Sequence, residues 1–478
     1  MPLASISARQ AFACLSIVLL ALSLPADASA SVVEGLDGGA LGTPWAIPFV
    51  GLLLSIALVP LIAPHFWHHH YGKVSAAWAA SFLAPFALTY GPGMALGETL
   101  HVVLLDYVPF IVVLFALYTI SGGVFVDGDL KATPLRNTGI LAVGTMIASI
   151  TGTTGASVLL IRPLLRANAG RRYQVHVVVF FIFLVSNIGG SLTPLGDPPL
   201  YIGFLRGVDF FWPAVALWEV TLTVAAILLT VFFLLDTVLT SRETATQAPE
   251  GTRPLVLRGG LNIVFLVSVI GVILASAFWK TDLHLEIYGV AVDAPNVVRV
   301  IALLGLAALS LLFTPREFRE GNNFGWGPIV EVAKLFAGIF ITIIPVIAML
   351  KAGSHGAFAP LLTLLNNPDG SPNNAMYFWL TGGLSSFLDN APTYLVFFNA
   401  AGGNAAMLMG PMAATLAAIS AGAVFMGANT YIGNAPNFMV KAIAEEAGVR
   451  MPSFFGYMAW SVVILLPTFA LVTWLFFH

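Results

Sequence analysis

Ser186-Asn187-Ile188-Gly189-Gly190-Ser191-Leu192-Thr193-Pro194-Leu195-Gly196-Asp197-Pro198-Pro199 interrupts an apolar stretch running from about 174 to 206. Gly and Pro at this density end helical turns, so the stretch cannot be one continuous helix. Gly427-Ala428-Asn429-Thr430-Tyr431-Ile432-Gly433-Asn434-Ala435-Pro436 interrupts a second stretch, 408–446, in the same way. The two breaks share the pattern Thr-x-(Leu/Ile)-Gly-(Asp/Asn)-x-Pro. A single offset of 237 positions puts Thr193 on Thr430, Gly196 on Gly433, Asp197 on Asn434 and, further upstream, Thr153 on Asn390. Thr153 and Asn390 sit in two further interrupted stretches, 138–167 and 374–403, whose middles read Thr151-Gly152-Thr153-Thr154-Gly155 and Leu388-Asp389-Asn390-Ala391-Pro392. In each half 44 positions separate this middle from the break downstream. The shared spacing makes an internal repeat of the whole architecture.

The surrounding chain fixes the solvent. Of its 478 residues 58% are hydrophobic and 9% charged, against roughly 25% charged in soluble domains. A spanning helix needs roughly 20 apolar residues, and full-length candidates fall at about 46–66, 74–91, 102–125, 210–236, 259–279, 297–314, 328–350 and 454–477. Arg162, Arg166, Arg171 and Arg172 crowd one connection, Arg242, Arg253 and Arg258 a second, and Arg316 and Arg319 a third. Placing these inside orients the chain with both termini outside, in an inner (plasma) membrane of bacterial type. That leaves Arg206, Lys280, Arg299 and Lys351 outside. The orientation closes only if 138–167 enters and leaves on the cytoplasmic side and 374–403 on the outer side. Each then reads as a re-entrant hairpin with arms of about a dozen residues, reaching about halfway through a core of roughly 30 Å. Irregular backbone at that depth is tolerated where protein or a cavity satisfies it.

The fold expected is therefore an all-α polytopic membrane protein, an inverted structural repeat with two re-entrant hairpins and two broken helices. Residues 1–30 read as a signal peptide, with Arg9, an apolar run and the ending Ala28-Ser29-Ala30; the other reading is an uncleaved first span. The first membrane repeat would cover 31–237, a cytoplasmic linker 238–258 and the second repeat 259–478. Cys14, the one cysteine, lies in the leader, so the rest of the chain offers no disulfide or thiolate chemistry.

The run 186–199, with Ser386-Phe387-Leu388-Asp389-Asn390, resembles the ion transporter superfamily. That group includes sodium/proton antiporters of the D type, arsenite permeases, citrate/metal symporters and divalent-anion/sodium symporters. The resemblance covers nearly all of the chain after the leader. It implies two membrane-embedded sites related by pseudo-symmetry, with tips and breaks supplying cation ligands. It further implies a scaffold part and a transport part in each protomer, and pairing as a homodimer. The chain departs from the pattern at its first tip, where Thr153-Thr154 stands in place of an Asn-containing or acidic tip. The second break also lacks the double glycine of the first.

Asp197 and Asp389 are the leading candidates, because a carboxylate at mid-depth is a functional hypothesis by default. Asp is also a good N-cap, and the two roles can coexist. Asn187, Asn390, Asn429 and Asn434 could coordinate an ion or cap freed backbone. Thr153, Thr154, Thr193 and Thr430 offer hydroxyl oxygens, which suit hard cations. Glu219, inside the span 210–236 beside Trp218, is a candidate proton carrier or a bundle pair. Glu331 and Lys334 read as a local ion pair. Asp106 reads as solvated near the outer interface. His65, His68, His69 and His70 read as a solvated loop rather than a metal site.

No zinc protease spacing, nucleophile elbow or phosphate loop appears in a plausible context, and mid-depth offers no nucleophile–base pair or metal triad. An enzyme is not expected, nor is a cofactor or a nucleic-acid partner. Partners are the lipid bilayer, a small inorganic cation and, in one reading, an organic anion. Neither tip nor break carries Lys or Arg, so the charge reading favours cation-coupled secondary transport, sodium/proton antiport first, with sodium ion or proton as cargo. A carboxylate whose proton and cation compete suffices for exchange. Citrate or dicarboxylate symport and arsenite export are the alternatives.

Overall fold

The computed structural model describes residues 36–128, 132–243 and 256–478; the leader lies outside them. Among the described residues seven helices are long and apolar enough to cross a membrane: Thr43–Ile62, Pro92–Ser121, Val175–Leu192, Trp212–Ser241, Gly260–Phe278, Ala294–Phe313 and Phe454–Phe476. An eighth crossing is the pair Gly327–Thr342 and Ile344–Lys351, bent by 42°. Large apolar side chains such as Ile62, Leu88, Val215, Leu312, Phe455 and Val463 are exposed. A lipid-facing surface accounts for this, since water would not tolerate so continuous an apolar exterior.

The two interrupted stretches are hairpins. The first joins Pro134–Thr151 to Thr153–Asn168 through Gly152 alone, which sits at φ 79 where side chains are strained. The second joins Asn374–Ser385 to Asn390–Ala400 through a short turn. The first hairpin's arms are 18 and 16 residues long, more than the dozen expected. The extra length carries Asn137 and Asn168 to a polar cluster at the base, with Arg171, His176 and Asp236.

Both breaks appear as expected. Val175–Leu184 gives way to a short 3-10 turn, Ile188–Leu192, before Pro198–Leu205 starts. Ala413–Met426 gives way to Gly427–Asn429 before Ala435–Glu446.

The hairpins enter from opposite faces. At the base of the first, Arg166 donates to the Val126 carbonyl, strand Phe125–Asp127 pairs with Val256–Arg258, and Arg162 reaches the Asn322 carbonyl. These connections form one arginine-rich face. At the base of the second hairpin, Met409 accepts from the Asp209 amide, at the other end of the Trp212–Ser241 helix.

Packing sorts the helices into two groups. A scaffold group holds Thr43–Ile62, Pro64–Tyr90, Pro92–Ser121, Gly260–Phe278, Ala294–Phe313 and the bent pair. A hairpin group holds both hairpins, both broken helices, Trp212–Ser241 and Phe454–Phe476.

Several expectations need correction. His65–His70 lie in the helix Pro64–Tyr90, separated from its predecessor by Ala63 alone. Pro64 occupies the first helical turn, where proline starts helices rather than marking a loop. His69 accordingly bonds back to the His65 carbonyl. Asp106 is buried and pairs with Arg206 at 2.8 Å. Glu331 and Lys334 form no ion pair; Lys334 lies over the Tyr71 ring, 5.5 Å from its centre. A β-hairpin, His284–Ile287 with Val290–Asp293, lies between two spans. Its two-residue turn takes Tyr288 and Gly289 at φ 49 and 81, the signature of a type I′ turn.

Candidate functional site

The repeat organises a network of polar contacts around one carboxylate. In each half a serine at the end of the hairpin's first arm stitches that arm to the break. Ser149 donates to the Gly189 carbonyl, and Ser386, at the matching position, donates to the Met426 carbonyl. Thr193 donates to the Ser149 carbonyl, and Thr430 to that of Ser386. Within each break the backbone folds so tightly that a side chain at Gly196 would meet the Gly190 carbonyl, and one at Gly433 that of Gly427. The threonine hydroxyls are thus used to hold backbone and do not point at Asp197.

Asp197 is 1% exposed. Its Oδ1 accepts from the Thr153 hydroxyl at 3.1 Å and from Asn434 Nδ2 at 3.1 Å, and its Oδ2 accepts from Asn390 Nδ2 at 2.5 Å. Thr153 and Asn390 are matching tip positions, and Asn434 is the match of Asp197 itself. The four positions related by the offset therefore converge on a single carboxylate, and both tips reach the same depth. Asp197 and Asn434 occupy N-cap positions yet make no capping bond. The capping explanation fails for Asp197, whose carboxylate turns to its neighbours instead.

Four helix N-termini meet there, those of Thr153–Asn168, Pro198–Leu205, Asn390–Ala400 and Ala435–Glu446. Each contributes a partial positive charge of roughly half a unit. No Lys, Arg or His pairs with Asp197 among the described residues. Its ring of direct donors is neutral.

A second layer supports the ring. Asn434 Nδ2 also faces the Ser186 carbonyl and Asn187 Oδ1, each at 3.2 Å. Asn187 donates to the Ile182 carbonyl and to Asn437 Oδ1 at 2.7 Å, and Asn437 donates to the Gly427 and Thr430 carbonyls. Two buried amide oxygens of this network remain without donors among the described residues: Asn390 Oδ1, beside Asp197, and Asn429 Oδ1. They are the oxygens a bound cation would most readily recruit, because nothing else claims them.

The other candidates make no hydrogen bond to Asp197 among the described residues, though Asp389 lies within Coulomb range of it. Asp389 is half-buried and caps the second hairpin's outgoing arm, accepting from the Ala391 amide at 3.1 Å. Thr154 is half-buried and its side chain makes no hydrogen bond among the described residues. Glu219 is exposed on the outer surface of the bundle, away from this centre. Ser149 and Asn437 escaped the sequence reading. Ser149 could have been found, since it lies 237 positions before Ser386 and 44 before Thr193. Asn437 has no polar match in the first half, where Leu200 stands. Among the described residues no three His, Cys, Asp or Glu side chains cluster as a resident metal site.

Comparison with known proteins agrees with a transport architecture. An uncharacterized transporter of Mycobacterium bovis is 26% identical over 350 residues, covering 71% of this chain and 76% of its own length. An uncharacterized transporter of Mycobacterium tuberculosis matches to the same extent. Residues 38–477 match the family described as "Putative citrate transport". With the match running from the first described helices to the last span, the chain belongs to that family of membrane transporters.

Proposed function

We propose that the protein is a cation-coupled carrier of a small organic carboxylate, with citrate the first substrate to test. The observation that carries this reading is the meeting of four helix N-termini around the buried Asp197. Such a field favours negative charge, and broken-helix N-termini are a usual way for carriers to hold anionic substrate groups. Asp197 has only neutral direct donors, so its own charge calls for a proton or a metal cation. Asn390 Oδ1 stands ready beside it. A cation held there would in turn attract a substrate carboxylate and tie the two movements together. The family match supports a citrate-like substrate.

Sodium/proton antiport is the second reading. It is favoured by the absence of Lys and Arg from the ring around Asp197, which leaves proton and sodium free to compete for one carboxylate. One preparation separates the two. Purified protein in liposomes is given radiolabelled citrate and succinate with an inward sodium or proton gradient, and a trapped pH dye follows sodium pulses. Gradient-dependent citrate or succinate accumulation supports the carrier. A dye response to sodium with no carboxylate uptake supports the antiporter instead.

A further inference from the structure

Away from the arginine-rich face the chain carries few basic residues: Arg206, Lys280, Arg299 and Lys351. Three of these gather at one place, the seam between the scaffold and hairpin groups. Arg206 ends the short helix Pro198–Leu205 that starts beside Asp197. Its Nη2 donates to Asp106 Oδ2 at 2.8 Å, across the seam, and Lys351 lies within Coulomb range of the same carboxylate. Strand Val290–Asp293 packs on the Val103–Tyr107 turn that carries Asp106, then runs directly into the Ala294–Phe313 helix. Arg299 is on that helix. Its guanidinium lies over the Phe204 ring, 5.7 Å from the centre, two positions before Arg206.

Arg299 is unusual in its isolation. It is 5% exposed, and among the described residues its side chain makes one hydrogen bond, a long one of 3.4 Å from Nη1 to Ser276 Oγ. No carboxylate pairs with it among the described residues. Its Nε–H is buried without an acceptor, and so is the Nε–H of Arg206. A desolvated guanidinium without a counter-charge is strongly unfavourable, and the Phe204 face offsets only part of that. Guanidinium groups with unused N–H donors are suited to carboxylates, which they bind through paired, charge-assisted hydrogen bonds. Asp106 is the one carboxylate in ion-pair contact with any of Arg206, Arg299 and Lys351 among the described residues.

We propose that Arg299 and Arg206 form an entry site that recognises the carboxylates of a di- or tricarboxylate on the seam, before the substrate reaches the Asp197 centre. One substrate carboxylate takes Arg299. A second takes Arg206, displacing Asp106, which holds that guanidinium until substrate arrives. The exchange releases the ion pair that joins the two groups of helices, so binding and loosening of the seam are one event. This rests on the carboxylate reading given above.

The test uses the full chain in liposomes and in detergent, as wild type, Arg299→Ala and Arg299→Lys. Half-saturating citrate and half-saturating sodium are measured separately. Arg299→Ala is expected to raise half-saturating citrate about tenfold or more, with maximal rate within about twofold and the sodium value unchanged. Arg299→Lys recovers part of the loss, since it keeps the charge but not the fork. On wild type, citrate is expected to protect Arg299 from phenylglyoxal, read by peptide mass, where chloride does not. That measurement decides if the variants fail to fold. Citrate uptake with the same half-saturation in Arg299→Ala, or a loss confined to maximal rate, overturns the site while leaving the carrier reading intact. Wild type that neither transports nor is protected by citrate or succinate overturns both.

Discussion

Replacing Asp197 by Asn and by Ala separates the charge of this carboxylate from its role as an acceptor. In Asp197→Ala the Thr153 hydroxyl and the Asn390 amide lose the only acceptor each has among the described residues. Asn434 loses less, since its Nδ2 keeps the Ser186 carbonyl and Asn187 Oδ1. Two stranded donors at about 1–3 kcal/mol each give roughly 2–6 kcal/mol of destabilisation. In Asp197→Asn the new amide oxygen can serve Thr153 and Asn434, which turns its NH2 toward Asn390. That contact is donor against donor until the Asn390 amide rotates by a half-turn. The rotation gives the unpartnered Asn390 Oδ1 a donor and leaves Nδ2 in its place, so one unpartnered neutral group is exchanged for another. What remains is the difference between charged and neutral hydrogen bonds, about 1–2 kcal/mol, reduced by no longer burying a charge. The assay is apparent unfolding temperature in detergent for wild type and both variants, with ion-driven uptake measured on the same batches. Asn is expected near wild type, Ala clearly lower, and both without coupled transport. Equal stability of the two variants would refute the donor bookkeeping, and coupled transport by Asp197→Asn would refute the use of its charge.

Four further outcomes follow from the same contacts. Asp389→Asn keeps the cap on the second hairpin and with it wild-type stability, while Asp389→Ala loses about 1 kcal/mol; unfolding measurements check this, and uptake by Asp389→Asn is expected to fall at least about tenfold if the charge serves the ion. Arg171→Ala leaves Asp236, 0% exposed and 2.6 Å from the guanidinium, with only His176 and Asn137, so stability drops by roughly 3–5 kcal/mol, and adding Asp236→Asn should restore part of it. Glu219→Gln leaves uptake and its pH profile unchanged, since the side chain points away from the bundle; an altered profile would return Glu219 to the proton path. Cysteines replacing Arg166 and Asn404 label from opposite sides of the membrane, and labelling from one side would contradict opposed hairpins.

The breaks, the tips and the offset were legible in the sequence because Gly, Pro and spacing are local signals. Depth was legible too, since hydropathy counts residues along an axis. Direction around that axis was not, which is why Glu219 looked like a membrane-buried acid and is an exposed one. Asp106 and Arg206 are 100 positions apart, and no pattern in either neighbourhood announces the pair. The central contacts lie further still, 193 positions for Asn390 and 237 for Asn434. The offset matched the four positions and the repeat implied that tips and breaks converge, but not that they would share a single carboxylate. That depends on the two halves packing tip to tip, which is set by shape rather than by motif. The histidine run misled for another reason: Pro64 both ends one helix and begins the next, and polarity alone suggested a loop.

Asp197 hydrogen-bonds to its own counterpart, Asn434, at 3.1 Å. A chain assembled from two identical copies would set aspartate against aspartate there, at a separation where two carboxylates cannot both ionise. Divergence between the duplicated halves at this position is therefore a condition of having a permanently ionisable centre. It also leaves one carboxylate where the two halves meet, at a place where perfect duplication would leave two sharing a proton. Moving the carboxylate to the other half, by Asp197→Asn with Asn434→Asp, would mirror the molecule's polarity about its own axis while keeping every atom count the same.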